Sequence, residues 1–205
     1  ARVDGRTVGV LANQPMHLAG CLDADCSDKG SRFSNICDAY DIPIVYVVDT
    51  PGYLPGVQQE KSGIIHRGAK LGFALAQATV PKVTVIVRKA FGGAYAVMGS
   101  KNLGGDLNFA WPTAQIAVMG AEAAVVMIQG RQLAEVPEDQ QPAMKKMFMD
   151  FYNENMTSPY VAAERGYVDA MIMPSETRVQ LRRALDQLRD KELPQVRKKR
   201  EIAPM

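Results

Sequence analysis

The sequence is short of the side chains that most often carry out chemistry. It holds two histidines, His17 and His66, and three cysteines in 205 residues. No serine sits in a G-x-S-x-G elbow, so a Ser-His-Asp hydrolase has no frame. His66, next to Arg67 in a helical stretch, reads as structural or as a substrate contact rather than as a base. Cys21, Cys26 and Cys37 are odd in number and irregular in spacing, which excludes a disulfide framework. They form no C-x-x-C pair, so no structural zinc site is expected, and no metal at all. They read as reduced, partly buried thiols of a cytoplasmic protein.

Other absences exclude other classes. The formal net charge is only +2, which argues neither for nor against an anionic partner. The basic run at 197–200 reads as a solvated end, because no aromatic or basic patch elsewhere supports nucleic-acid binding. Apolar runs such as Ile42 to Val48 are far too short to span a bilayer, so no membrane partner is expected either. The start, ARVDGRTVGV, has neither an initiator Met nor a signal-peptide core, and the chain is expected to be a cut from a longer polypeptide. The nucleotide signatures fail one by one. After Ala90 the glycines fall at Gly92, Gly93 and Gly99, which is not G-x-G-x-x-G. Gly63 to Lys70 (GIIHRGAK) misplaces the lysine of a P-loop and lacks the Ser/Thr. Val47 to Gly52 (VVDTPG) is like the magnesium-side loop of a GTPase, but without a phosphate loop it cannot hold a triphosphate.

What is present is a globular chain of ordinary composition, 47% hydrophobic and 22% charged, long enough for a sizeable core. Strand-like runs (Thr7 to Ala12, Ile42 to Val48, Val83 to Val87, Leu107 to Trp111, Gln115 to Met119, Ala170 to Met173) alternate with helix-like ones. The helices are expected at Ser27 to Tyr40 with Ser27 as N-cap, from Ile64 to Ala78, and at Ala121 to Leu133. Three more are expected at Glu138 to Asn155, Pro159 to Gly166 and Glu176 to Lys191. That order implies an α/β fold with parallel strands. The seven residues Thr50 to Gly56 (TPGYLPG) carry two Pro and two Gly and form a structured loop at a strand's carboxyl end, where ligands of α/β sheets gather.

One stretch stands out. VTVIVRKAFGGAYAVMGS (Val83 to Ser100) runs from a strand through Gly92-Gly93 into a helix, with no acid, thiol or histidine between Phe91 and Ser100. A helix start offers unpaired N–H groups and positive partial charge, and glycines let a ligand approach closely. Such a turn can be an oxyanion hole that needs no polar side chain. It can equally be tight helix–strand packing.

Four ordered blocks carry a resemblance. They are GCLDADCSDKGSRF (Gly20 to Phe33), VVDTPGYLPGVQQEKSGIIHRGAKL (Val47 to Leu71), RKAFGGAYAVMGSKNLGGDLNFAWPTAQIAVMGAE (Arg88 to Glu122) and ERGYVDAMIMPSETR (Glu164 to Arg178). Together they resemble the C-terminal half of the carboxyltransferase (β) subunit of biotin-dependent acyl-CoA carboxylases, of the propionyl- and acetyl-CoA type, over nearly the whole chain. The resemblance implies a crotonase-like fold, a twisted superhelix of ββα units, with residues 1–205 as one domain and the CoA-side N-terminal domain outside this chain. It implies a reaction in which carboxybiotin, carried by a partner subunit, yields carbon dioxide. The biotin enolate then takes the α-proton of an acyl-CoA, and the acyl enolate attacks the carbon dioxide. Biotin brings the base, so the protein supplies oxyanion holes and positioning.

By that resemblance the backbone N–H groups of Gly93 and Ala94 form the hole for the biotin urea oxygen. Gly92, Tyr95, Tyr53 and Leu54 wall the biotin pocket, and the side chain at position 96 lies by the acyl chain. Propionyl-type members often have Asp there; Ala96 departs from this and predicts tolerance of longer acyl groups. Asp49 is expected to cap loop N–H groups. The partners implied are an acyl-CoA, a biotin carboxylase/biotin carrier α subunit, the N-terminal half of the subunit, and further copies in a hexamer. Two other readings stay open: a decarboxylase subunit of a biotin-dependent sodium pump, and an isolated assembly fragment without activity of its own.

Overall fold

A computed structural model describes residues 1–192 and 204; the basic run at 197–200 lies outside them. The chain opens with a two-stranded antiparallel pair, β1 (Arg2–Val3) and β2 (Arg6–Thr7), and then enters β3 (Gly9–Ala12). There follow α1 (Ala24–Ala39), β4 (Ile44–Thr50), α2 (Val57–Lys61), α3 (Ile64–Gln77), β5 (Lys82–Phe91) and the short α4 (Gly92–Ala96). Beyond these lie β6 (Leu107–Ala110), β7 (Gln115–Ala117), α5 (Ala121–Ala134), α6 (Gln141–Tyr152), α7 (Pro159–Glu164), β8 (Ala170–Met171) and α8 (Thr177–Gln187). The sheet order is β3-β4-β5-β6-β8, with β7 also on β5, and each of these pairs is parallel. The alternation of strand and helix in the sequence therefore becomes the α/β architecture it predicts.

The sheet is covered on both faces. Ile44, Tyr46 and Val48 of β4 join Leu71 and Leu75 of α3 in one core, while Val45 joins Val83, Val85, Phe109 and Leu185 in the other. A strand buried on both sides needs no polar face, which is why β4 reads as an unbroken apolar run. Leu71 and Leu75 are fully buried, and each contributes about 1.5–3 kcal/mol relative to an exposed position. Arg67 ties α3 to α1 through Asp25 and Asp28, both at 2.6 Å. Among the described residues no helix is long and apolar enough to cross a membrane.

Several boundaries differ from expectation. The first long helix starts at Ala24, capped by Asp23, whose side chain accepts from the Cys26 N–H at 2.7 Å; Ser27 lies buried inside that helix and its hydroxyl bonds back to the Asp23 carbonyl. The polar helix expected over Glu138 to Asn155 is α6 followed by a π turn (Asn153–Thr157), and its late start suits Pro142 in the first turn. The strand expected at Ala170 to Met173 pairs only over Ala170–Met171. The central strand β5 is longer than expected and reaches Phe91.

Candidate functional site: a glycine turn between two cavities

The site is built where β5 ends. β5 pairs with β6 as far as Ile86↔Ala110, then with β7 from Lys89↔Gln115 to Phe91↔Ala117. Gly92 then turns the chain with φ +57, and a Cβ there would lie 2.9 Å from the Val118 carbonyl oxygen. Both facts demand glycine. The next position is different. A Cβ on Gly93 would meet only the Tyr53 ring, at an ordinary 3.7 Å, so no contact within the chain requires glycine there. A closely approaching ligand would.

α4 is one short turn of helix, and its first N–H groups have no partner within the helix. Among the described residues neither the Gly93 nor the Ala94 N–H finds an acceptor. Gly93 is exposed, while Ala94 is 0% exposed. A buried donor left unpaired is costly, which favours an acceptor brought from outside.

Two cavities flank this turn. The first, of about 570 Å³, lies against Tyr53, Leu54, Ile64, Gly68 and Val97. The second, of about 530 Å³, lies against Gly92, Tyr95, Ile116, Met156, Arg165 and Tyr167. Gly93 and Ala96 line both. The single pocket expected from Tyr53, Leu54, Gly92 and Tyr95 is thus divided: Tyr53 and Leu54 lie on one side of α4, and Gly92 and Tyr95 on the other. Ala94 lies beneath, its methyl packed in the core.

Each wall is locally explained. Residues Gly52 to Leu54 are stitched to Leu22: the Leu22 N–H donates to the Gly52 carbonyl at 3.1 Å and the Leu54 N–H to the Leu22 carbonyl at 2.8 Å. The Tyr53 hydroxyl donates to the Gly68 carbonyl at 3.3 Å, and Gly68 has no side chain because a Cβ would sit 3.0 Å from the ring. Burial pushes the Tyr53 and Tyr95 phenols up to about 12, so both stay neutral and neither is a base near neutral pH. His17 and His66 are exposed and line neither cavity. Arg67 is engaged by its two aspartates. Asp49 accepts from a strand N–H, that of Lys89, rather than from the loop. No cluster of potential metal ligands occurs among the described residues. Glu60, Arg165 and Tyr167 were not singled out from the sequence; Arg165 and Tyr167 fall inside the fourth block, but no spacing links them to Gly92.

The arrangement can do one thing well. It can hold a planar group carrying a developing negative charge against two backbone donors, between largely apolar walls, with no histidine in either lining.

Comparison with known proteins follows the same lines. The chain is 58% identical over 194 residues to the biotin-dependent long chain acyl-coenzyme A carboxylase beta4 subunit of Mycobacterium tuberculosis, covering 94% of this chain and 37% of that one. It is 58% identical over 192 residues to the propionyl-CoA carboxylase beta chain of Saccharopolyspora erythraea, covering 93% of this chain and 35% of that one. A crystal structure of transcarboxylase 12S, described as a hexamer assembly, superposes with a TM-score of 0.95 at 46% identity, over 100% of this chain and 39% of that one. The fold is crotonase-like, and the chain spans little more than a third of these relatives. Residues 1–202 match the carboxyl transferase domain, and the chain belongs to that family.

Proposed function

We propose that this chain is the biotin-side, C-terminal half of an acyl-CoA carboxyltransferase subunit, which moves a carboxyl group from carboxybiotin to the α-carbon of an acyl-CoA. The observation that carries the reading is the pair of acceptor-less N–H groups, Gly93 and Ala94, at the start of α4 and between two cavities without a histidine. Biotin, borne by a partner subunit, would supply both the carboxyl group and the base. The chain's own part is to bind and orient. The two N–H groups receive the urea oxygen as negative charge grows on it. Tyr53 and Leu54 on one side, Gly92 and Tyr95 on the other, keep water from it. Ala96 sets the room beside it for the acyl chain.

The thioester hole and most of the CoA site would come from the N-terminal half, with the complete site shared between subunits of an oligomer; the hexameric 12S relative supports this. Three free thiols suit a reducing compartment, the cytoplasm. The half-buried methyl of Ala96, lining both cavities, favours acyl groups longer than propionyl; the relatives at 58% identity include both a long chain acyl-coenzyme A carboxylase subunit and a propionyl-CoA carboxylase chain, so it is this methyl that carries the preference. The test is carboxyl transfer by the full-length subunit with a biotin-loaded carrier subunit, over acyl-CoAs of increasing length. Carboxylation whose kcat/KM holds or rises beyond propionyl is the expected result. Carboxylation of none of them would sink the reading, and a sharp preference for propionyl would sink its specificity part.

A further inference from the structure

Asp49, the acid of the VVDTPG stretch, lies outside both cavities and carries no role in the chemistry above. Its place in the sheet gives it one. β4 and β5 stay in register from Ile44↔Lys82 to Val48↔Ile86, and then the register jumps to Thr50↔Ala90. Across that step β4 contributes only Asp49, while β5 contributes Val87, Arg88 and Lys89. β5 is therefore bulged opposite Asp49, and the bulge is where it leaves β6 and takes up β7. Ala90 and Phe91 follow, and then the Gly92-Gly93-Ala94 turn. A bulge re-aims a strand and leaves polar groups without ladder partners.

Asp49 supplies those partners. Its carboxylate accepts from the Lys89 N–H at 3.2 Å and from Arg88 Nε at 3.1 and 3.0 Å. Asp49 is 6% exposed. A charge so buried is tolerable only with its hydrogen bonds made. It is braced from behind: its N–H donates to Asn13 Oδ1 at 3.1 Å, and Asn13 Nδ2 donates to the Gly20 carbonyl at 3.4 Å. On the far side of the bulge the Val87 carbonyl accepts from the Thr113 hydroxyl at 3.3 Å. The end of β5 is thus clamped on both sides of the residues that lead into the turn.

We infer that Asp49 is a positioning residue for carboxyl transfer: by holding the β5 bulge it fixes where the Gly93 and Ala94 N–H groups point. This rests on reading those groups as oxyanion donors. Donors of that kind work only when preorganised, and a displacement of about 1 Å can cost roughly 100-fold in rate.

The experiment uses the full-length subunit with its biotin-loaded carrier subunit and three variants, Asp49→Ala, Asp49→Asn and Arg88→Gln. Three quantities are read: hydrogen–deuterium exchange of peptides covering 89–97, acyl-CoA binding stoichiometry, and turnover per bound acyl-CoA. Asp49→Ala should speed exchange over 89–97 and lower turnover per site by roughly 100-fold, with stoichiometry kept. Asp49→Asn still accepts from the Lys89 N–H and should recover both quantities towards those of the parent. Arg88→Gln leaves that bond in place and should fall between.

A loss of stoichiometry with turnover per site intact would mean a purely structural role and would overturn the inference. Unchanged exchange over 89–97 in Asp49→Ala would overturn it directly. Faster exchange with unchanged turnover per site would overturn it through the reading on which it rests, since the turn would move without moving a catalytic donor.

Discussion

On the proposed function, position 96 is the residue at which specificity can be read. Ala96 presents a methyl to both cavities. A carboxylate there would bring charge and bulk next to the acyl chain, with no cation among the residues lining the first cavity to receive it. Ala96→Asp should therefore lower kcat/KM for long acyl-CoAs more than for propionyl-CoA, by about tenfold or more, the scale set by a few methylenes lost from an apolar pocket. A length series on the variant checks it. Tyr46, Tyr53 and Tyr95 all have phenols that burial pushes up to about 12. Their folded values exceed the unfolded one of 10.0, so their contribution to stability is fully present below pH 10 and is lost as pH rises towards 12. Alkaline denaturant titrations should show that loss, and Tyr53→Phe should reduce it.

At the scale of elements, α3 links core to site, since Leu71 and Leu75 are buried under the sheet while Ile64 and Gly68 line the first cavity. Leu75→Ala should cost about 2–5 kcal/mol in a denaturant titration. Below α3, Lys82 Nζ donates to the carbonyls of Leu75 and Ala78 at the helix's C-terminal end, at 2.9 and 2.8 Å. Desolvation lowers this lysine from 10.5 to about 8. Between those values the unfolded chain holds a proton that the folded one has shed, so stability from this group rises with pH across that window. Subtracting the pH profile of Lys82→Met from the parent's should leave that rising slope; a flat difference contradicts it.

Elements of this kind were legible because long apolar runs and helical spacing survive in any context. Their ends were less so. Asp23 and Ser27 are both good caps, and only the Cys26 N–H bond decides between them. The tail of β5 was missed because a bulge has no periodicity of its own, and the carboxylate that bonds to it, Asp49, is far away in sequence. The Gly-Gly-Ala stretch was legible as a strand-to-helix turn, since glycine spacing is local. That α4 would divide the walls into two cavities was not, because this depends on which way Tyr95 and Tyr53 pack.

For the whole molecule, the governing fact is length. A chain spanning 37% of one relative and 39% of another holds, on the reading above, only the biotin side of a shared site. The isolated chain should give no carboxyl transfer to any acyl-CoA, even with a biotin-loaded carrier subunit present; measurable turnover would contradict a split site. The surface agrees with burial against something larger: Val126, Met127 and Ile128 of α5 and Met147 and Phe151 of α6 are all exposed.

The central claim is that two backbone donors, not a side chain, stabilise the charge, and position 93 tests it most directly. Gly93→Ala keeps the N–H and has room for its methyl; Gly93→Pro removes the donor at a helix start, where proline is tolerated. In the full-length subunit, transfer turnover per bound acyl-CoA should fall about 100- to 1,000-fold in Gly93→Pro relative to Gly93→Ala, with acyl-CoA affinity the same in both. Equal turnover in the two variants would contradict the account.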